Sequence, residues 1–240
     1  MAIDPNNRVI VQRLEGNEYY SIQVLDQTLQ NSFNASLELL PDFINFDGAT
    51  SVTTVLSDNL FDVLVATDTV TRFTYDYARN EISAQNEYSI NCTNVFSAAD
   101  GSGFYCLQKG ILSLVDFGSS NTLVTSVETG IPGDPHMQID SNGNLILVSV
   151  FGLTEVVSFS GDLKHKNFAI SLPNLVAASG IEQMKDGNYI LFGQSITYAT
   201  TSQYLIITPD GEVKENILLE APSNTFIAVE GYSPVCNCLY

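Results

Sequence analysis

Tryptophan is absent, histidine occurs twice, and only nine of the 240 residues are Lys or Arg. Two histidines cannot build a three-histidine zinc site, and the Cys236–Cys238 pair alone supplies at most two zinc ligands. Nine basic against 27 acidic residues leave a net charge of −18. A surface of that sign repels nucleic acid and anionic lipid, so no nucleic-acid partner is expected. Long apolar runs are also missing. The longest stretch, around Leu145 to Phe151, contains Ser149 and stops at Gly152. That is far short of the roughly 20 residues of a membrane span, and no membrane insertion is expected. The opening MAIDPNNRVIVQRL has neither the basic head nor the apolar run of a signal peptide, so the chain reads as soluble. No glycine-rich phosphate loop and no Gly-x-Ser-x-Gly elbow occurs.

What is present is a globular composition. Hydrophobic residues make up 45% and charged residues 15%, which argues against charge-driven disorder and for a sizeable core. Four cysteines do not make a disulfide scaffold. Cys92 and Cys106 flank an expected hairpin turn at Asp100-Gly-Ser-Gly103. Pairing about that turn sets them some five residues out of register, roughly 16 Å at strand rise and beyond disulfide reach. Buried free thiols are therefore expected, with a bridge from Cys236 or Cys238 to Cys92 or Cys106 as the alternative. The sequons Asn34-Ala-Ser and Asn91-Cys-Thr are no more than chance supplies in a chain rich in Asn, Ser and Thr.

The organisation lies in a repeat. Ile139-Asp-Ser-Asn-Gly-Asn-Leu-Ile-Leu147 and Met184-Lys-Asp-Gly-Asn-Tyr-Ile-Leu191 each read as strand, Asn-Gly or Asp-Gly turn, strand. Anchored one residue past the turn glycine, they give Asn144 and Asn188. Related turns place Gly103, Asn59 and Asn17, so the five anchors follow one another about every 43 residues. A second turn per copy is clearest at Phe159-Ser-Gly-Asp-Leu163 and Thr208-Pro-Asp-Gly-Glu212. Weaker versions occur at Asp116-Phe-Gly-Ser-Ser, Tyr75-Asp-Tyr-Ala-Arg-Asn80 and Asn31-Ser-Phe-Asn34. Period-two alternation, as in Val70-Thr-Arg-Phe-Thr-Tyr75, marks half-buried strands. The segment 174–178, opened by Pro173, reads as loop.

Four short strands per unit of this length fit a β-propeller blade, a sheet that must stack on its neighbours to bury both faces. The expectation is an all-β propeller filling residues 1–240 as one domain. It has about five four-stranded blades, six being the alternative. The copies begin near Arg8, and the segment 225–240 either closes the ring or starts a sixth blade. The stretch Asp134-Pro-His-Met-Gln-Ile-Asp-Ser-Asn-Gly-Asn-Leu-Ile-Leu-Val148, with Val156-Val-Ser-Phe-Ser-Gly-Asp-Leu-Lys164, resembles blades of the NHL and gluconolactonase-like propellers. The resemblance covers that blade well, the blade from Gly180 to Lys214 moderately, and the first two poorly. It speaks to fold and carries no function by itself.

Candidate site residues follow from the propeller reading, which puts ligands on the segments leading into each innermost strand. Here these are Asn45 to Asp47, Asn91 to Asn94, Asp134 to His136, Ser179 to Glu182, and Ser223 with Asn224. Asn94, Asp134, His136 and Asn224 are the candidate binding residues. Their ordinary role would be to cap turns. The gluconolactonase-like enzymes hold a metal on Glu, Asn and Asp from separate blades, and the resemblance implies calcium as the cofactor of an enzyme reading. In that reading Asp134 and Glu182 hold the metal and His136 moves the proton in a hydrolase or lactonase. The other reading is a non-catalytic module with no cofactor, binding a protein or glycan. No aromatic or amide holds one register in all five copies, so a repeated glycan site is not expected. The sequence leans to the non-catalytic module. Its Ser/Thr/Asn-rich, lysine-poor composition leans to an extracellular, virion or surface setting over the cytoplasm.

Overall fold

The computed structural model describes residues 2–3, 9–15, 19–25, 31–38, 50–55, 60–66, 68–76, 78–79, 81–98, 100–118, 123–133, 135–149, 153–195 and 202–219. Among these, regular structure is all strand, in four antiparallel sheets. The first holds β1 (Ala2–Ile3), β2 (Val9–Glu15), β3 (Tyr19–Leu25) and β4 (Asn31–Glu38) in that order. The second holds β5 (Thr50–Val55), β6 (Leu60–Ala66), β7 (Val70–Asp76) and β8 (Glu81–Tyr88). The third holds β9 (Asn94–Ser97), β10 (Gly103–Gln108), β11 (Ile111–Asp116) and β12 (Leu123–Glu128). The last has seven strands: β13 (His136–Ile139), β14 (Leu145–Val148), β15 (Leu153–Phe159), β16 (Lys166–Gln183), β17 (Tyr189–Ser195), β18 (Ser202–Ile207) and β19 (Val213–Leu219).

The seven strands are two meanders sharing one long strand. β16 pairs β15 from Lys166 to Val176 and β17 from Leu175 to Gln183, with register breaks on the way. Pro173 falls in the break between the pairs Thr154↔Leu172 and Leu153↔Val176. Proline has no N–H for a ladder, so a bulge is where a strand tolerates it. Among the described residues there are therefore five four-stranded meanders, the fourth and fifth joined through β16. No helix among the described residues is long and apolar enough to cross a membrane.

The turns behave as their chemistry requires. Asp140 N donates to Asn144 O at 2.9 Å, and Met184 N to Asn188 O at 2.7 Å. The glycines between them, Gly143 and Gly187, have φ of 78° and 86°, a region that favours a residue without Cβ. Gly103 is required for another reason. A Cβ there would lie 2.0 Å from the Val115 carbonyl oxygen, so β10 and β11 approach too closely for a side chain.

The chain divides into two compact units. Among the described residues, one runs to Gln108 and includes Ser113–Val124; the other comprises Lys109–Leu112 and those from Thr125 to Leu219. The core of the first joins Leu64, Ala66, Val70, Tyr88, Val95, Phe104 and Val115. That of the second joins Ile146, Val148, Val156, Phe168, Tyr189, Leu191, Leu205 and Ile207. In each, apolar side chains from successive meanders pack into one cluster, as sheets with two apolar faces must.

Several expectations are corrected. Cys92 and Cys106 form a disulfide with a Cα–Cα distance of 5.3 Å. The hairpin pairs Cys106 with Val95, but β9 starts only at Asn94. Before it the chain curls back, with Thr93 N and Oγ1 both donating to Leu107 O at 2.7 and 2.8 Å. That curl, which strand geometry does not contain, brings Cys92 beside Cys106. Residues 174–178 are strand within β16, and so is Glu182. Asn31-Ser-Phe-Asn34 begins β4 rather than forming a turn. The first copy starts before Arg8, because Ala2 and Ile3 pair with Ile10 and Val9. Cys236, Cys238, Asn17, Asn59, Asn45 to Asp47 and the segment 225–240 lie outside the described residues.

The disulfide closes a sequence separation of 14 residues inside the first unit's core. Loop-closure entropy assigns such a cross-link about 3 kcal/mol. Urea unfolding of the full chain purified without reductant should show Cys106→Ser less stable by about that amount. Equal stability would show that the bond does not form.

Candidate functional site

The polar side chains that the strands bring together are concentrated in and beside the hairpin turns. Asp140, 1% exposed, is the densest case. Its Oδ1 accepts from Asn142 N at 2.8 Å and Asn144 N at 2.7 Å. Its Oδ2 accepts from Asn144 Nδ2 at 3.0 Å and from the Tyr189 hydroxyl at 2.8 Å. In the next blade, where Met184 takes the place of Asp140, Asp186 two residues on accepts from Asn188 N and Nδ2 at 3.1 and 2.7 Å. At the second turns, Ser160 Oγ donates to Asp162 Oδ1 at 2.7 Å and Thr208 Oγ1 donates to Asp210 Oδ1. The Ser160 hydroxyl, then the Lys164 amide, hold the Asp162 carboxyl down to about 2. Short polar side chains beside a turn are bonded to its backbone, as their preference for turns implies.

Two hydrogen bonds tie one blade to the next. Tyr189 lies 49 residues beyond Asp140 and is 1% exposed. Burial first, and then its bond to the Asp140 carboxylate, push its phenol far above the ordinary value. Beside it, Ser141 N donates to Gln183 Oε1 at 2.7 Å, across 42 residues. The first unit has a different device. Asp62, 2% exposed, accepts from Arg72 Nε at 2.7 Å and from Thr74 Oγ1 at 2.7 Å. The Arg72 guanidinium lies 3.8 Å from the Phe117 ring centre. Phe117, Tyr88 and Phe104 form an aromatic triangle with centroids 5.3 to 6.0 Å apart. A buried charge needs its partner and its hydrogen bonds in place, and a cation over an aromatic face adds to them.

Chemically these groups hold structure. Asp140 and Asp62 each accept several hydrogen bonds, and Tyr189 keeps its proton. Sequence reasoning missed both constellations. Asp140 stands in the Asn-Gly turn motif, but its partner Tyr189 is a repeat away. Arg72 carried a readable signal, a scarce basic residue in the middle of a strand with buried neighbours on either side in sequence.

The expected site residues are placed as follows. Asn94 opens β9 opposite Leu107, half-buried, in the first unit. His136 opens β13 opposite Val148 in the second; it is exposed, and partial desolvation of its ring lowers its pKa. Glu182 faces Ile190 in β16, half-buried, and desolvation raises its carboxyl. No hydrogen bond or ion pair among the described residues joins these three to one another. Asp134 and Asn224 lie outside the described residues. Among the described residues no group of three or more His, Cys, Asp or Glu is placed to hold a metal ion.

Comparison with known proteins speaks to the fold. No family model matches the chain, and no curated protein matches it. Hydrazine synthase of Kuenenia stuttgartiensis superposes with a TM-score of 0.63 at 16% identity, covering 88% of this chain and 63% of that one. The WD40 domain of Toxoplasma gondii coronin gives 0.54 at 13% identity, covering 91% and 57%. The WD40 β-propeller domain of Doa1 gives 0.51 at 15%, covering 75% and 58%. The chain thus spans less than two thirds of each of these. At such identities the likeness establishes the fold, and the fold is a β-propeller.

The Tyr189 phenol gives a pH signature with a definite sign. Its unfolded value is near 10, and the folded one is higher. Below pH 10 both states carry the proton and stability is flat in this group. Above it the unfolded state loses the proton first, so stability falls as pH rises. Urea midpoints should therefore decline more steeply above pH 10 for the native chain than for Tyr189→Phe. At pH 7 the variant should be less stable by about 1.5–3 kcal/mol, the range for a hydrogen bond to a charged group. Parallel pH profiles would contradict the buried bond.

Proposed function

We propose that this chain is a non-catalytic β-propeller module that binds another macromolecule, its residues 1–240 forming one domain of about five blades. The observation that carries the reading is on β12, an edge strand of the third sheet. Leu123 and Val124, adjacent in sequence, are 52% and 55% exposed there. Neighbours on a strand point to opposite faces, so this edge offers apolar surface on both sides. An edge strand with apolar flanks suits an added peptide strand. The WD40 domains that share the fold support a protein partner over a glycan. The binding positions we assign are Asn94, Asp134, His136 and Asn224. The acidic balance makes nucleic acid an unsuitable partner. The Cys92–Cys106 bond favours an extracellular, virion or surface setting, since such bonds persist in oxidising compartments.

The second reading is a calcium-dependent hydrolase or lactonase acting through Asp134, His136 and Glu182. The raised carboxyl of half-buried Glu182 is the observation in its favour.

Two experiments separate them. Leu123→Glu with Val124→Glu should leave the melting temperature of the full chain within a few degrees, while weakening retention of a co-purifying partner by tenfold or more. Unchanged retention would remove β12 from the binding surface. A thermal melt with EDTA, then with excess calcium, magnesium or zinc, should show no shift for the module. A rise with one metal that EDTA reverses and Glu182→Ala abolishes would favour the enzyme, because a ligand bound only by the folded state raises its stability.

A further inference from the structure

Sequence alone gives the sequon Asn91-Cys-Thr93 no more weight than chance. The structure adds two observations that bear on it independently. The first is position. Asn91 and Thr93 are both exposed, in the segment 89–93 that links β8 to β9 outside any strand. A glycan is bulky, so its acceptor must stand at the surface, and a surface loop is where such a sequon is usable. The other sequon, Asn34-Ala-Ser, lies within β4, where Asn34 pairs with Gln23.

The second observation is the residue in the middle. Cys92 is 5% exposed and bonded to Cys106, itself 2% exposed. Exposure thus alternates along the sequon: Asn91 out, Cys92 in, Thr93 out. The disulfide anchors the segment from inside and leaves the acceptor amide towards water. Such bonds persist in oxidising compartments. The lumen in which asparagine-linked glycans are attached is one of these.

We propose that Asn91 is an attachment site for an N-linked glycan. The inference rests on the extracellular or surface setting proposed above. The co-reactant is an oligosaccharide joined through pyrophosphate to a membrane lipid. The bond from sugar C1 to the phosphate oxygen breaks, and a bond from C1 to Asn91 Nδ2 forms. The lipid pyrophosphate leaves with the electron pair, and Nδ2 gives up one proton. The geometry also sets the order of events. In the folded chain Thr93 Oγ1 and N both donate to Leu107 O, at 2.8 and 2.7 Å. The hydroxyl that the sequon requires is then engaged and Cys92 is tied down. Transfer therefore precedes the docking of this segment, and the folded chain accommodates the sugar because Asn91 remains at the surface.

The full chain, secreted from cultured mammalian cells behind a cleavable leader, tests this by peptide mapping. The native chain should carry a glycan on Asn91 that peptide N-glycosidase removes, leaving aspartate there. Thr93→Ser keeps the sequon and should keep the glycan, whereas Thr93→Val should leave Asn91 bare. Asn91→Gln should melt within a few degrees of the native chain, as a surface site requires. A bare Asn91 in the secreted native chain, with or without sugar on Asn34, would overturn the proposal. So would a modification of Asn91 that survives Thr93→Val. Thiol titration of the same sample separates this failure from that of the setting. An oxidised Cys92–Cys106 pair beside a bare Asn91 overturns the glycan alone, and free thiols beside a bare Asn91 overturn both. Should a variant fail to be secreted, the map of the native chain still decides.

Discussion

The buried carboxylate of Asp140 joins two successive repeats, and the second unit depends on that junction. A charge removed from water is tolerable only where donors surround it. Asp140 obtains three from its own turn and one from Tyr189 in the next repeat. The turn is thereby closed and the next blade's second strand held against it. Gln183 reaches back from β16 to the amide of Ser141 and doubles the link. Apolar packing supplies most of the driving force for stacking sheets but little direction. The hydrogen bonds fix which residue meets which.

The first unit solves the same problem with other chemistry. There the anion is Asp62, and its counter-ion Arg72 is sandwiched against Phe117 beside Tyr88. The disulfide between Cys92 and Cys106 adds a covalent tie in the same core. In both units the buried ionisable groups are bonded into structure. The turn aspartates have backbone amides and hydroxyls as partners, so much of what looks like an acidic, site-rich sequence is hairpin architecture.

How much of this was legible in the sequence follows from how local each feature is. The Asn-Gly and Asp-Gly hairpins at Asn144 and Asn188 were readable because a three-residue loop that ends on a positive φ leaves few alternatives to glycine. Their spacing then exposed the repeat and the fold. The curl at Cys92 was not readable, since it depends on where β9 stops and not on the turn that pairs it. The passage of β16 through Pro173 was hidden because a proline reads locally as a break, while the register change that tolerates it is set by two different partner strands. The Asp140–Tyr189 bond needed the stacking of repeats to be known first. Of the expected site residues, Glu182 proved to be strand instead of loop, and Asn94 and His136 proved to start the strands they were expected to precede.

The central claim is that the Asp140 carboxylate joins the fourth blade to the fifth. It is tested most directly by a double-mutant cycle of Asp140→Ala and Tyr189→Phe, read by urea unfolding at neutral pH. The account predicts a coupling of about 1–3 kcal/mol, because the two side chains share one buried hydrogen bond. Additive effects, with no coupling beyond about 0.3–0.5 kcal/mol, would contradict it.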